Sequence, residues 1–105
     1  MSSDVFGALS DPTRRHLYQA LASDGPTTAT ALAADMEISR QAVAKHLGIL
    51  SEAGMAASTK VGREMRFEAR VEPLSEVESW IRTVESEWDQ RLALLAASFG
   101  GPEKP

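Results

Sequence analysis

Apolar residues along the chain follow different rhythms, and each rhythm marks a different kind of element. In residues 28–53, TATALAADMEISRQAVAKHLGILSEA, they recur at helical spacing in two short blocks. Leu32 and Met36 stand at i and i+4 in the first block. Val43, Leu47 and Leu50 stand at i, i+4 and i+7 in the second, a single stripe on one side of a helix. Thr28 and Ser39 precede the blocks, and each hydroxyl can accept a hydrogen bond from an orphaned N–H of a first helical turn. Glu37-Ile38-Ser39 forms the turn between them, and Gly54 closes the second block as a C′ glycine. The spacing predicts two short helices joined by a tight turn.

Upstream, Asp4 to Leu9 reads as a short helix with Val5, Phe6 and Leu9 on one side. Ser10-Asp11-Pro12 restarts the chain: Asp11 is a good cap, and Pro12 suits the first helical position, where its missing N–H costs nothing. That helix should run to about Ala22, with Leu17, Ala20 and Leu21 inward and Tyr18 at the margin. Arg14 and Arg15 in its first turns read as a solvated face, since exposed cations are commonplace. His16 reads as a partly buried helix residue. Asp24-Gly25-Pro26 ends the helix.

Beyond Gly54 the period falls to two. Residues 56–61, AASTKV, are small and β-branched; in 64–69, EMRFEA, Met65, Phe67 and Ala69 point one way and Glu64, Arg66 and Glu68 the other. With Gly62-Arg63 between them, the two runs predict an antiparallel hairpin, spanning 56–70, with a tight glycine turn. A lone hairpin is barely stable, so Phe67 and Met65 are expected to pack on the helices.

From 74 to 99 the helical period returns and does not break. Leu74, Val77, Ile81, Val84, Trp88, Leu92, Leu95 and Phe99 step by three or four, and Trp80 and Leu94 widen the stripe. Some 26 residues make a rod of roughly 39 Å, against a radius of gyration of about 13 Å for a domain of this size. Either the rod wraps its own domain or a second copy of the chain covers it; the second copy is the simpler expectation. The whole is expected to be one domain over 1–99, mainly α with a small β-hairpin. The tail 100–105, GGPEKP, is expected to be disordered.

Charge sharpens this picture. The net charge of −4 argues against a nucleic-acid partner until its distribution is considered. Residues 39–70 carry six cations against three acids, whereas 1–38 and 71–105 are both acidic. On the second helix of the pair, Arg40, Gln41, Ala44, Lys45 and Gly48 cluster opposite the apolar stripe: two cations, an amide and two very small residues, with no carboxylate. Such a face can lie against an anionic groove, and the helix N-terminus adds positive partial charge. Lys60, Arg63 and Arg66 decorate the hairpin, which can reach a phosphate backbone or a minor groove as a wing. The competing description of each is an ordinary solvated surface.

Composition excludes other classes. Without cysteine there is no disulfide, thiolate nucleophile or cysteine metal site. No apolar run approaches a membrane span, and MSSDVFGALSD lacks the pattern of a signal peptide, so a cytoplasmic protein is expected. No glycine-rich phosphate loop or Ser/His/Asp set suggests an enzyme, and no cofactor or metal is called for.

Together these residues resemble the ArsR family of winged helix-turn-helix repressors. FGALSDPTRRHLYQAL (6–21), ISRQAVAKHLGILSEAGM (38–55) and KVGREMRF (60–67) carry the resemblance, which covers about Phe6 to Phe99. It implies that Ser39, Arg40, Gln41, Lys45 and His46 face DNA or its phosphates. It also implies a homodimer joined through the first and last helices, here Phe6, Leu9, Val77, Ile81, Val84, Trp88, Leu92, Leu95 and Phe99. Metal sensors of the family carry cysteines in the helix before the turn, or Asp and His pairs on the last helix; LAADM (32–36) and residues 74–99 offer neither. The resemblance is therefore to the cysteine-free members. His46 lies between the apolar stripe and Ala42, where it either packs or donates to a phosphate.

The expected function is a homodimeric repressor that binds double-stranded DNA at a palindromic operator. Arg40 and Gln41 would read base edges and Ala44 a thymine methyl, while Lys45, Lys60, Arg63 and Arg66 would touch the backbone. The alternative is a winged-helix module that docks another protein through its last helix. A small-molecule effector bound near Trp80, Trp88 and Phe99 stays open.

Overall fold

Local capping sets where each element begins. The computed structural model describes residues 4–99. Along it run α1 (Val5–Ala8), α2 (Pro12–Asp24), β1 (Thr27–Thr28), α3 (Ala29–Met36), α4 (Arg40–Glu52), β2 (Ala56–Val61), β3 (Glu64–Ala69) and α5 (Leu74–Ser98). Asp4, Asp11, Thr28 and Ser39 each accept a backbone N–H three residues on, at 2.9–3.1 Å, so four helices start with an orphan donor satisfied. The Asp11 carboxyl is held below its ordinary value chiefly by the hydrogen bond it accepts from the Arg14 N–H. The expected tail, 100–105, lies outside the described residues.

Helix α4 ends as Gly54 foretold. Gly54 has φ of 78°. Its N–H donates to Ser51 O at 3.0 Å, and the Met55 N–H donates to Leu50 O at 2.9 Å. This pair of bonds is the Schellman arrangement, which satisfies the last carbonyls and turns the chain inward. Met55 is fully buried as a result, and β2 starts immediately after it.

The chain divides into two compact units, one ending at Ser75 and the other starting at Glu76. In the first, α4 packs against α1, α2, α3 and β2. The core comprises Val5, Ala8, Leu17, Tyr18, Leu21, Leu32, Val43, Leu47, Leu50, Ala53, Met55 and Ala56. The second unit is described by α5 itself. None of the residues of α5 is buried, and its stripe of Ile81, Val84, Trp88, Leu92 and Leu95 is exposed in the single chain.

Several expectations change on contact with the structure. The sheet has three strands, ordered β1-β3-β2, because Thr27 and Thr28 pair with Phe67 and Arg66 on the outer edge of β3. Two residues carry no periodicity, so the hairpin seemed to stand alone. Met65, expected to pack on the helices, is 48% exposed, whereas Phe67, one pleat further in, is half-buried. Arg14 and Arg15 are more than a solvated face. Arg14 donates from Nε to Ala8 O at 2.8 Å and from Nη2 to Gly7 O at 3.2 Å, and Arg15 donates from Nη1 to Leu9 O at 2.5 Å. They add donors to the carbonyls at the end of the one-turn α1 and its cap, where Gly7 O also accepts the Ser10 N–H and hydroxyl.

Tyr18 lies in the core instead of at its margin. Its hydroxyl donates to Arg70 O at 2.7 Å, and the Arg70 N–H donates to Met55 O at 2.8 Å. One phenol thus ties α2 to the exit of the wing. Burial, with the nearby Glu72 charge, pushes the Tyr18 hydroxyl above its ordinary value. A raised acid favours folding while protonated. Its contribution is whole below about pH 10 and is lost as pH climbs through the folded value. Tyr18→Phe should cost about 1 kcal/mol at pH 7 and should remove this share of the alkaline loss, as urea titrations at neutral and alkaline pH would read out.

Candidate nucleic-acid interface

The faces of α4 are divided as its sequence demands. Val43, Leu47 and Leu50 have no exposed surface. Arg40, Gln41, Ala44, Lys45 and Gly48 are all exposed. The Ser39 hydroxyl accepts the Ala42 N–H at 3.0 Å, and no acid occupies the first turn. The start of α4 therefore presents cations and N–H groups to the outside, a favourable site for phosphate oxygens.

The wing brings its own cations toward this face. β2 and β3 pair in register from Ala56↔Ala69 to Val61↔Glu64, leaving Gly62-Arg63 as the connecting turn. Gly62 has φ of 65°, a conformation that costs glycine little. Arg63 therefore stands at the tip. A groove of 480 Å³ runs between the wing and the helical pair; Arg40 and Ala44 line one side, Arg63 to Met65 another, and Thr28 to Ala31 a third. The first turn of α3 was not anticipated as part of this surface. The signal for it was the Thr28 cap, which locates that helix's orphan N–H groups.

The remaining expected contacts differ in character. Lys60 is exposed on β2. Arg66 is exposed too, but its Nη2 lies 3.6 Å from Glu64 Oε1 on the same face of β3. A solvated pair like this is weak, so Glu64 tempers the charge without immobilising it. His46 is half-buried, and its Nδ1 lies 3.4 Å from Arg14 Nη1 on α2. Among the described residues no group of three or more His, Asp or Glu is placed to hold a metal ion, and no helix is long and apolar enough to cross a membrane.

Comparisons with known proteins agree with this geometry. Residues 9–59 match the family model for a helix-turn-helix domain. The HTH-type transcriptional regulator YuzN of Bacillus subtilis strain 168 is 34% identical over 84 residues, covering 73% of this chain and 91% of YuzN. The transcriptional repressor SdpR of the same organism is 30% identical over 79 residues, covering 75% of this chain and 87% of SdpR. The solved structure of an ArsR-like transcriptional regulator from Rhodococcus sp. RHA1 superposes with a TM-score of 0.74 at 40% identity, covering 89% of this chain and 87% of that one. The chain belongs to the ArsR family. It is thus a DNA-binding transcriptional regulator with a winged helix-turn-helix fold, in a family of regulators and not of enzymes.

Gly48 lies on the exposed face of α4, beside Ala44 and Lys45. A Cβ built on it meets nothing within 4 Å, so no contact inside the chain requires glycine there. Gly48→Ala should stabilise the fold by about 1 kcal/mol, measured as a higher urea midpoint with an unchanged slope.

Proposed function

We propose that the protein is a homodimeric repressor that reads a palindromic operator with α4 in the major groove and the wing on the flanking backbone. The observation that carries this reading is the acid-free, exposed face of α4, joined in one groove to Arg63 of the wing. An arginine can pair bidentately with guanine and a glutamine with adenine, so Arg40 and Gln41 are the base readers and Ala44 a neighbour for a thymine methyl. Ser39, Lys45, Lys60 and Arg66 contact phosphates. Arg63, at the tip of a narrow ribbon, reaches the minor groove. Repression, as distinct from regulation in general, is supported by the likeness to the repressor SdpR.

The second copy follows from α5. A continuous apolar stripe of Val77, Ile81, Val84, Trp88, Leu92 and Leu95 is suited to an identical stripe across a two-fold axis, and Phe6, Leu9 and Phe99 are the further interface residues. The two recognition helices then meet half-sites one helical turn apart, roughly 34–36 Å, or a multiple of it. Double-stranded DNA is the partner, and the cytoplasm is where it is met.

Duplexes selected for tight binding from a random pool test this. Selection should yield palindromes, bound with affinity that falls steeply with salt. Arg63→Ala should weaken binding to every sequence and reduce the salt slope by about 1. Gln41→Ala should relax preference at one position of each half-site, by about 1–3 kcal/mol. Equal losses on all sequences in Gln41→Ala would remove it as a base reader. Failure to enrich any duplex would favour the protein-docking alternative, with α5 as the docking face. In sedimentation, Leu92→Glu should convert the dimer to a monomer and lower operator affinity about a hundredfold by losing the second site.

A further inference from the structure

Arg14 holds three partners on two other helices. Its Nε and Nη2 donate to Ala8 O and Gly7 O at the end of α1, at 2.8 and 3.2 Å. Its Nη1 meets the Nδ1 of His46 on α4 at 3.4 Å. A guanidinium is planar, with its donors in a fixed fork. Two bonds to α1 therefore set the plane of the group and the direction of the third N–H. Arg14 also lines a pocket with Asp4, Gly7 and Ala8 on one side and Ile49, Glu52 and Ala53 of α4 on the other. The guanidinium thus sits at the junction where α1 lies against α4.

His46 immediately follows Lys45 and lies two residues after Ala44 on the helix that carries the reading face. An arginine can only donate, so in this contact Nδ1 is the acceptor and the ring proton is on Nε2. We infer that Arg14 is a positioning residue for DNA recognition: anchored on the α1 carbonyls, it fixes the rotation of α4 through His46. This rests on the reading that α4 enters the major groove. It adds that the setting of the helix there is controlled from α1 through one side chain that touches no base.

The test uses the full chain, a duplex selected for tight binding, a scrambled duplex, and 15N NMR of the imidazoles. In the wild type at neutral pH, His46 should show a bare Nδ1 and a protonated Nε2, a pattern lost in Arg14→Gln. Arg14→Gln and His46→Leu should each lower the preference for the selected over the scrambled duplex by about three- to tenfold. The double variant should be no worse than either single one, and His46→Gln, whose amide oxygen still accepts, should keep most of the preference. An arginine that merely stabilises the fold would lower the melting temperature and leave the preference alone. An unchanged preference in folded Arg14→Gln, additive losses in the double variant, or an Nδ1-protonated His46 in the wild type would overturn the inference. Should Arg14→Gln fail to fold, His46→Leu and the wild-type tautomer decide. A wild type with no preferred duplex would instead overturn the recognition reading, and the positioning role with it.

Discussion

The whole first unit depends on the burial of one side of α4. Val43, Leu47 and Leu50 lose all their exposed surface, each worth at most about 1.5–3 kcal/mol. Elements from both ends of the sequence meet on that side: α1, α2 and α3 from upstream and β2 from downstream. At 100° per residue, burying one stripe decides which residues the opposite side shows, and small rotations of the helix are left to its other contacts. The face made of Arg40, Gln41, Ala44, Lys45 and Gly48 is presented because the hydrophobic stripe is fixed. Function here is the complement of packing.

Features set by neighbours in sequence were legible without a structure. Asp11, Thr28 and Ser39 were readable as caps because a cap bonds an N–H three residues away. The strands were readable because the small and β-branched content of 56–61 and the alternation of 64–69 are local properties. Gly54 was readable because a helix that turns back sharply needs a positive φ. The face of α4, the core of the proposed site, followed from the same arithmetic.

What stayed hidden had distant partners. β1 is two threonines whose strand character comes wholly from pairing with β3, some forty residues on. Tyr18 looked marginal on its own helix, but the carbonyl it bonds belongs to Arg70. Arg14 and Arg15 looked like ordinary surface cations because the acceptors they serve, the last carbonyls of α1, are invisible to any pattern of side chains. Met65 failed in the opposite direction: alternation assigns it the same face of β3 as Phe67 and Ala69, but near the tip of the wing it stays exposed while those two gain partial burial.

The charge balance explains why a DNA-binding regulator with net charge −4 is physically reasonable, and what the proposed second copy would add. Long-range attraction is poor in a chain whose two flanks are acidic. Even within the wing, Glu64 and Glu68 stand beside Arg66 and Arg70. In the proposed complex the force toward DNA is therefore short-ranged, exerted by Arg40, Lys45, Lys60 and Arg63 once they are within a Debye length of phosphate. Few cations per subunit give modest affinity from counterion release. They also give little binding to arbitrary sequence, which helps a regulator that must distinguish one site among many. In the proposed homodimer, two subunits joined through the α5 stripe would recover the affinity, because the second half-site is engaged at a high effective concentration. On this proposal the long stripe of α5 and the sparse basic face of α4 answer one requirement: specificity held in shape and symmetry, with little left to electrostatic attraction.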